Sequence, residues 1–136
     1  IGAEMHREKM RNFGEKVGIA FQIKDDIFDY GTPNNIGKPT GIDIREQKMT
    51  LPLIYVLKNS PDKVGKELKK IVRNHNEESS KIKRATGLVI EHGGIDYAYN
   101  QMKKLAEEAK ELLMRYPDNE AKASLIGLVD YTMNRE

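Results

Sequence analysis

Apolar side chains predominate between Val17 and Tyr30, where Gly18 is the only residue that disfavours a helix. The length of this stretch suits a helix better than a strand. At ~100° per residue, one broad side of the helix is apolar and comprises Phe13, Val17, Ala20, Phe21, Ile27 and Phe28. Ile19 and Ile23 extend the apolar surface around the edges. A helix that is apolar nearly all round is usually buried, so the pattern predicts a helix inside a bundle.

The remaining side of this helix carries three carboxylates, which are predicted to line a pocket in the bundle. At the same angular spacing it consists of Gly18, Gln22, Asp25 and Asp29, with Asp26 beside them. Aspartates in the last turns of a helix are unfavourable, because the helix dipole repels each by about 0.3–1 kcal/mol and like charges at i, i+4 repel one another. Residues that break a local rule in this way tend to be functional. A divalent cation would stabilise them, since Mg²⁺ is usually bound by one or two carboxylates together with substrate phosphates.

Helical spacing continues on both sides of this stretch. Residues 3–30 are predicted to form one long helix and residues 31–47 a functional loop. A short helix with Pro52 in its first turn is expected next; its apolar positions are Met49, Leu51, Leu53, Ile54 and Leu57. Ser60 as N-cap and Pro61 at the first helical position predict another helix.

The C-terminal half is also predicted to be helical. A helix is expected over residues 76–92, with Asn76 or a nearby serine as its cap. The next helix has a regular apolar stripe, formed by Ile95, Ala98, Met102, Leu105, Ala109, Leu112 and Tyr116. Because Pro117 ends this stripe after three heptads, a core-facing helix is favoured over a coiled coil, and Asp118 is predicted to cap a final helix. With no β-alternation of useful length, the sequence predicts one all-α domain over residues 1–136.

Composition narrows the class of protein. A net charge of +2 from 23 basic and 21 acidic residues, with the signs interspersed, gives no indication of nucleic-acid binding. The absence of cysteine excludes disulfides and agrees with a cytoplasmic location, and no apolar run has transmembrane length. The chain begins at Ile1, and Met5 and Met10 continue the apolar pattern backwards. We therefore expect a fragment of a larger bundle, with apolar surface that requires a partner.

The segment after the acidic helix supplies the opposite charge. Gly31 and Pro33 are predicted to end the helix, and further glycine and asparagine residues permit a tight irregular path. Lys38 and Lys48 flank this segment, with Arg45 between them. Carboxylates, a cation and lysines together predict a diphosphate site.

Other interpretations of these residues differ in strength. On the acidic triplet alone, a solvated helix end is an equally good interpretation. An EF-hand is excluded, because the alternating ligands, the sixth-position glycine and the closing glutamate do not line up. A P-loop is excluded because the span from Gly31 to Gly37 has one residue too many and Pro39 stands where serine or threonine is needed.

The stretch FQIKDDIFDY followed by GKPTGIDIREQKMTLPLIY closely resembles the second aspartate-rich motif and trailing loop of the trans-isoprenyl diphosphate synthases. The likeness is greatest to the long-chain polyprenyl (octaprenyl-type) synthases and extends over residues 21–55 with matching order and spacing. This is far more specific than an isolated D-D-x-x-D. Gln47 departs from the family, which commonly has glycine before the lysine, and the departure bears on the local loop conformation.

The resemblance implies the C-terminal part of an isoprenoid synthase-type helical bundle. In that family Mg²⁺ holds the substrate diphosphates between two aspartate-rich helices, and here the implied metal ligands are Asp25, Asp26 and Asp29, with Asp25 the principal one. Asp25 and Lys38 are the implied catalytic residues. The implied substrate-binding residues are Phe21, Gln22, Lys38 and, as a weaker candidate, Lys48.

The implied reaction is the elongation of an allylic diphosphate with isopentenyl diphosphate, in a cytoplasmic homodimer. Two alternatives remain open: a non-catalytic or regulatory subunit of a heteromeric synthase, and another class I terpenoid synthase that cyclises its substrate. The Gly-Lys-Pro-Thr-Gly segment ending in Thr-Leu-Pro-Leu-Ile favours elongation. The enzyme interpretation requires a first D-D-x-x-D motif upstream of Ile1, and without it we expect these residues alone to be inactive.

Overall fold

The computed structural model describes residues 2–31 and 40–134, and every regular element within them is a helix. The helices are α1 (Gly2–Phe28), α2 (Ile42–Arg45), α3 (Leu51–Asn59), α4 (Asp62–Asn74), α5 (Ser79–Glu91), α6 (Gly94–Leu112) and α7 (Glu120–Asn134). The predicted all-α fold is confirmed. None of the helices in the described ranges combines the length and apolar character needed to span a membrane.

The long acidic helix ends two residues earlier than predicted. α1 stops at Phe28, and Asp29 and Tyr30 form a turn in which the Tyr30 N–H donates to the Ile27 carbonyl at 3.0 Å. Gly31 follows with φ of 89°, the left-handed conformation that commonly terminates helices. The predicted loop over residues 31–47 is also partly wrong, because its second half contains the single helical turn α2.

Residue contacts divide the chain into two compact units. The first comprises the described residues of Ile1–Lys24 and Asn100–Glu136. Its core is formed by Phe13 of α1, the C-terminal half of α6 and Val129 of α7. Lys24 is 7% exposed, and its Nζ donates to the carbonyls of Thr132 and Met133 at 2.8 and 2.7 Å. A lysine at these last-turn carbonyls satisfies acceptors that the helix itself leaves open.

The second unit comprises Asp25–Tyr99, of which residues 25–31 and 40–99 are described. Helices α3, α4 and α5 pack against one another there. Their shared core includes the fully buried Leu53, Val56 and Leu68, and Tyr30 and Ile44 pack against it. Burying a leucine side chain contributes about 1.5–3 kcal/mol, so this core holds the chain at the end of the acidic motif, at Tyr30, and again at Ile44.

The prediction that α1 is buried nearly all round is wrong within the described residues. Its buried residues are Phe13, Ala20, Ile23 and Lys24, which lie at helical spacing along one face. Ile19 is 48% and Phe21 36% exposed. The hydrophobic pattern could not distinguish one buried face from several, because the edges of α1 are apolar as well.

Three predicted helix caps were misplaced by short distances. Pro61, not Ser60, precedes α4, and the Ser60 hydroxyl instead donates to the Val56 carbonyl. The cap of α7 is Asn119, whose Oδ1 accepts the Lys122 N–H at 2.9 Å, whereas Asp118 forms an ion pair with the Lys122 side chain. Neither Asn76 nor a serine is the N-cap of α5, which begins at Ser79 directly after Glu78.

Candidate functional site

Asp29 ties the end of α1 to the backbone that leads into α2. Its carboxylate oxygens accept the N–H groups of Ile42 (3.1 Å) and Asp43 (3.0 Å), and its own carbonyl accepts the Gly41 N–H at 2.9 Å. Three consecutive N–H groups therefore converge on one aspartate. Hydrogen bonds to an ionised acceptor are stronger than those to a neutral one. The contact therefore fixes the start of the segment of residues 41–48.

Gly41 makes that approach possible. Its φ of 75° lies in the left-handed region, and a Cβ at this position would lie 2.5 Å from Cγ2 of Ile82 in α5. A side chain here would suffer both backbone strain and a steric clash. The backbone at Gly41 thus lies against α5 at a position that requires glycine.

Asp26 faces the other end of the same segment. Lys48 Nζ lies 3.6 Å from Asp26 Oδ1, and the exposed fractions of the two side chains are 58% and 15%. Burial raises the pKa of Asp26, while the Lys48 charge and the Leu51 backbone N–H act in the opposite direction. Because Lys48 is largely exposed, the pair contributes little to stability, but it places a cation beside the acidic motif.

Asp43 adds a carboxylate that the sequence had not singled out. Burial, followed by the charge of Asp29, raises the pKa of Asp43, and Lys48 partly offsets this. The Asp43 carbonyl accepts the Lys48 N–H at 2.8 Å. Asp43 therefore contacts Asp29 through its backbone N–H and Lys48 through its carbonyl, which connects both ends of the segment.

Tyr30 lies beneath the carboxylates with its hydroxyl buried. Burial raises the pKa of Tyr30 to about 12; the nearby Thr50 hydroxyl lowers it, and the charges of Asp29, Asp43 and Asp26 raise it further. Neither the Tyr30 nor the Thr50 hydroxyl makes a hydrogen bond of normal geometry within the ranges described. The phenol therefore stays neutral and is no candidate for a general base near neutral pH.

The other predicted site residues are more dispersed. Asp25 lies in the last turn of α1 and is exposed to solvent. Phe21 and Gln22 also lie on α1, in the first unit, and both are exposed. Lys38 lies outside the described residues. The structure thus brings together Asp26, Asp29 and Lys48 around the segment 41–48.

Sequence reasoning missed the residues that hold this segment from its other side. The Gln47 side-chain amide donates to the carbonyls of Val72 and Arg73 at 3.0 and 3.3 Å. Asn76 Nδ2 donates to the Arg45 carbonyl at 2.8 Å. The one available signal was the departure from the usual glycine at Gln47; nothing in the local sequence indicated Asn76.

The donor set suits a divalent cation bound jointly with a substrate. Among residues 2–31 and 40–134, no three acidic or histidine side chains are arranged to hold a metal ion by themselves. Asp25 and Asp26 nevertheless offer adjacent carboxylates, one exposed and one half-buried. One or two carboxylates completed by phosphate oxygens is the usual mode for Mg²⁺, so the residues fit such an ion.

Comparison with known proteins confirms the family. The family model for polyprenyl synthetase matches residues 1–89. Over 98% of this chain, the octaprenyl diphosphate synthase of Haemophilus influenzae is 28% identical and the geranylfarnesyl diphosphate synthase of Aeropyrum pernix 37% identical. The chain covers 41% and 42% of those two proteins and so spans about two fifths of the length of these relatives.

Solved structures agree with the fold. The polyprenyl synthase from Caulobacter crescentus, complexed with calcium and isoprenyl diphosphate, has a TM-score of 0.80 and 31% identity over 94% of this chain and 39% of its own. The polyprenyl synthase from Roseobacter denitrificans has a TM-score of 0.84 and 28% identity over 96% of this chain and 42% of its own. The predicted isoprenyl synthase-type helical fold is therefore confirmed.

Proposed function

Because the chain belongs to the polyprenyl synthetase family, we propose that it forms part of a prenyltransferase that elongates an allylic diphosphate with isopentenyl diphosphate to a polyprenyl diphosphate. The observation that carries the proposal is the position of Lys48 against Asp26 at the end of an acidic helix. Paired carboxylates and a lysine provide what a metal-bound diphosphate needs. The two curated relatives make prenyl diphosphates by name, which supports this substrate class.

In this proposal the acidic motif holds Mg²⁺ together with the substrate. Asp25, exposed in the last turn of α1, is the principal ligand, and Asp26 and Asp29 complete the acidic group. Each Asp29 oxygen already accepts one N–H, and each keeps a further lone pair for a cation. The Caulobacter structure contains calcium and isoprenyl diphosphate, which supports a divalent ion at this type of site.

The basic side chains act on the leaving group. Lys38 and Lys48 bind diphosphate oxygens, and Phe21 and Gln22 border the substrates. When the allylic C–O bond breaks, the electron pair leaves with the diphosphate, and the lysines stabilise that growing negative charge. The double bond of isopentenyl diphosphate then forms the new carbon–carbon bond, and loss of a proton restores the alkene. Bound Mg²⁺ would add Lewis-acid stabilisation of the same leaving group.

The assembly is part of the same proposal. A second aspartate-rich helix, outside these 136 residues, would grip the diphosphate from the opposite side. We place the enzyme in the cytoplasm as a homodimer, with residues 1–136 contributing to a single domain in each subunit. Exposed apolar side chains such as Ile19 and Leu128 agree with further packing partners.

Calorimetric titration of the chain with inorganic pyrophosphate tests the proposal, with and without Mg²⁺. We expect binding that requires Mg²⁺. In Asp25→Ala the Kd should rise at least about tenfold, which corresponds to a loss of about 1.4 kcal/mol of binding free energy when one metal ligand is removed. Asp96→Ala removes another exposed aspartate, in α6, and is the matched control. Mg²⁺-independent binding, or equal weakening in the control, would contradict the assignment.

A further inference from the structure

Gln47 occupies a backbone conformation that ordinarily favours glycine. Its φ is 59°, and it is the one non-glycine residue in the described part of the chain with a positive φ. Such a conformation is uncommon for residues with a Cβ and persists only where the surroundings enforce it. Gln47 directly precedes Lys48. The contacts that hold Gln47 in this backbone conformation therefore also determine the position of the Lys48 backbone.

The Gln47 side chain supplies the enforcing contact. Its Nε2 donates to the carbonyls of Val72 and Arg73 at 3.0 and 3.3 Å. These carbonyls belong to the last turn of α4, where the helix leaves its acceptors without intrahelical partners. The amide therefore caps α4 and at the same time fixes the strained residue to the core of its unit.

The contact reaches the site through a short run of backbone. The Gln47 N–H donates to the Ile44 carbonyl at 3.0 Å, and the Lys48 N–H donates to the Asp43 carbonyl at 2.8 Å. Asp43 in turn donates its own N–H to Asp29. The turn that presents Lys48 is thus held at one end by the acidic motif and at the other by α4.

We propose that Gln47 is a positioning residue that holds the Lys48 ammonium against Asp26 by anchoring the backbone of this turn to the end of α4. Its effect on diphosphate binding rests on the proposed function, whereas its effect on the turn does not. A glycine at this position would relieve the backbone strain, but the turn would lose its link to α4. This chain thus uses a side-chain anchor where backbone freedom alone would permit the same path.

Two measurements on the 136-residue chain test the inference. Gln47→Gly removes the anchor and relaxes the backbone, and we expect amide hydrogen exchange at Lys48 to accelerate about tenfold, as the loss of two hydrogen bonds predicts. We expect the Kd for pyrophosphate with Mg²⁺ to rise about fivefold. Asn59→Ala, which removes a similar side-chain bond to the Tyr55 carbonyl, is the control and should change neither.

A double-mutant cycle separates positioning from general stability. In a Lys48→Met background, Gln47→Gly should leave the Kd for pyrophosphate unchanged, because the group that it positions is absent. An equal loss of affinity in both backgrounds would overturn the inference, as would unchanged exchange at Lys48. If the parent chain binds no pyrophosphate but exchange at Lys48 still accelerates in Gln47→Gly alone, the anchor is upheld and the proposed function fails.

Discussion

Replacing Asp29 with alanine should destabilise the fold even in the absence of metal. The change removes the acceptors of the Ile42 and Asp43 N–H groups. A hydrogen bond to a charged acceptor contributes about 1.5–3 kcal/mol. Ile42 is 41% exposed, so water can replace the carboxylate there, and we expect the equivalent of about one bond, or ~2 kcal/mol, to be lost. For a chain of this size that lowers Tm by about 6 °C.

Asp25→Ala should behave in the opposite way. Asp25 is exposed in the last turn of a helix, where the dipole disfavours a carboxylate and alanine is the best helix former. Without metal we therefore expect unchanged stability or a gain of up to about 1 kcal/mol. With Mg²⁺ and pyrophosphate the parent chain should become the more stable of the two, because it binds the ligand more tightly and gains more stability from it.

Thermal unfolding of the parent and both variants, in EDTA and then in Mg²⁺ with pyrophosphate, gives the comparison. Circular dichroism at 222 nm reports the helix content throughout. Unfolding of Asp29→Ala within about 1 °C of the parent in EDTA, the shift expected for less than 0.5 kcal/mol, would refute a stabilising role of the Asp29 hydrogen bonds. Asp25→Ala being less stable than Asp29→Ala in EDTA would refute the contrast between the two aspartates.

Four further outcomes are expected. Tyr30→Phe removes a buried hydroxyl that has no regular hydrogen-bond partner among residues 2–31 and 40–134. It should leave the free energy of unfolding at pH 7, measured in urea, unchanged or about 1 kcal/mol higher. It should also abolish a loss of about 3 kcal/mol between pH 10 and 12, because the folded pKa of Tyr30 lies near 12 and folding disfavours the phenolate. Burial likewise raises the folded pKa of Asp26, so the folded state favours its protonated form. The stability that this carboxyl contributes should therefore be lost as the pH rises above the ordinary pKa of 3.8. Asp26→Asn should flatten this part of the pH profile of urea unfolding. Lys24→Met removes two hydrogen bonds to the end of α7 and should lower the free energy of unfolding by about 1–3 kcal/mol. Faster amide hydrogen exchange in the last turn of α7 is the readout. The chain alone, incubated with Mg²⁺, farnesyl diphosphate and labelled isopentenyl diphosphate, should yield no elongated product, and recovery of one would show that a second aspartate motif is unnecessary.

The type and order of the longer helices could be predicted from the sequence, because each of them carries its own apolar period. Which face of each helix is buried was less predictable, as α6 shows. A strict alternation by three and four predicted Leu105 and Leu112 inside, whereas the structure buries Ala106 and Leu113 after Met102. An α-helix has 3.6 residues per turn, so its buried face drifts relative to a 3.5-residue repeat. Because the neighbouring positions are also apolar, the sequence does not reveal this drift.

The candidate site was likewise predictable only in part. The order and spacing of the acidic motif and the lysines identified the family, because those features are local. The partners of Asp29 and Gln47 could not be predicted, since the first depends on the left-handed path at Gly41 and the second on the end of α4. Such contacts join residues far apart in the sequence, and no periodicity records them.

These contacts give the three aspartates of the motif different surroundings. Asp29 satisfies backbone N–H groups, Asp26 faces Lys48, and Asp25 is exposed. A cation that binds Asp26 or Asp29 must share the carboxylate with the Lys48 charge or with backbone N–H groups. Asp25 is therefore the aspartate of the motif that is most accessible to an incoming ion, which supports its proposed place as principal ligand. Asp26 and Asp29, which complete the proposed ligand set, also hold the turn that carries Lys48.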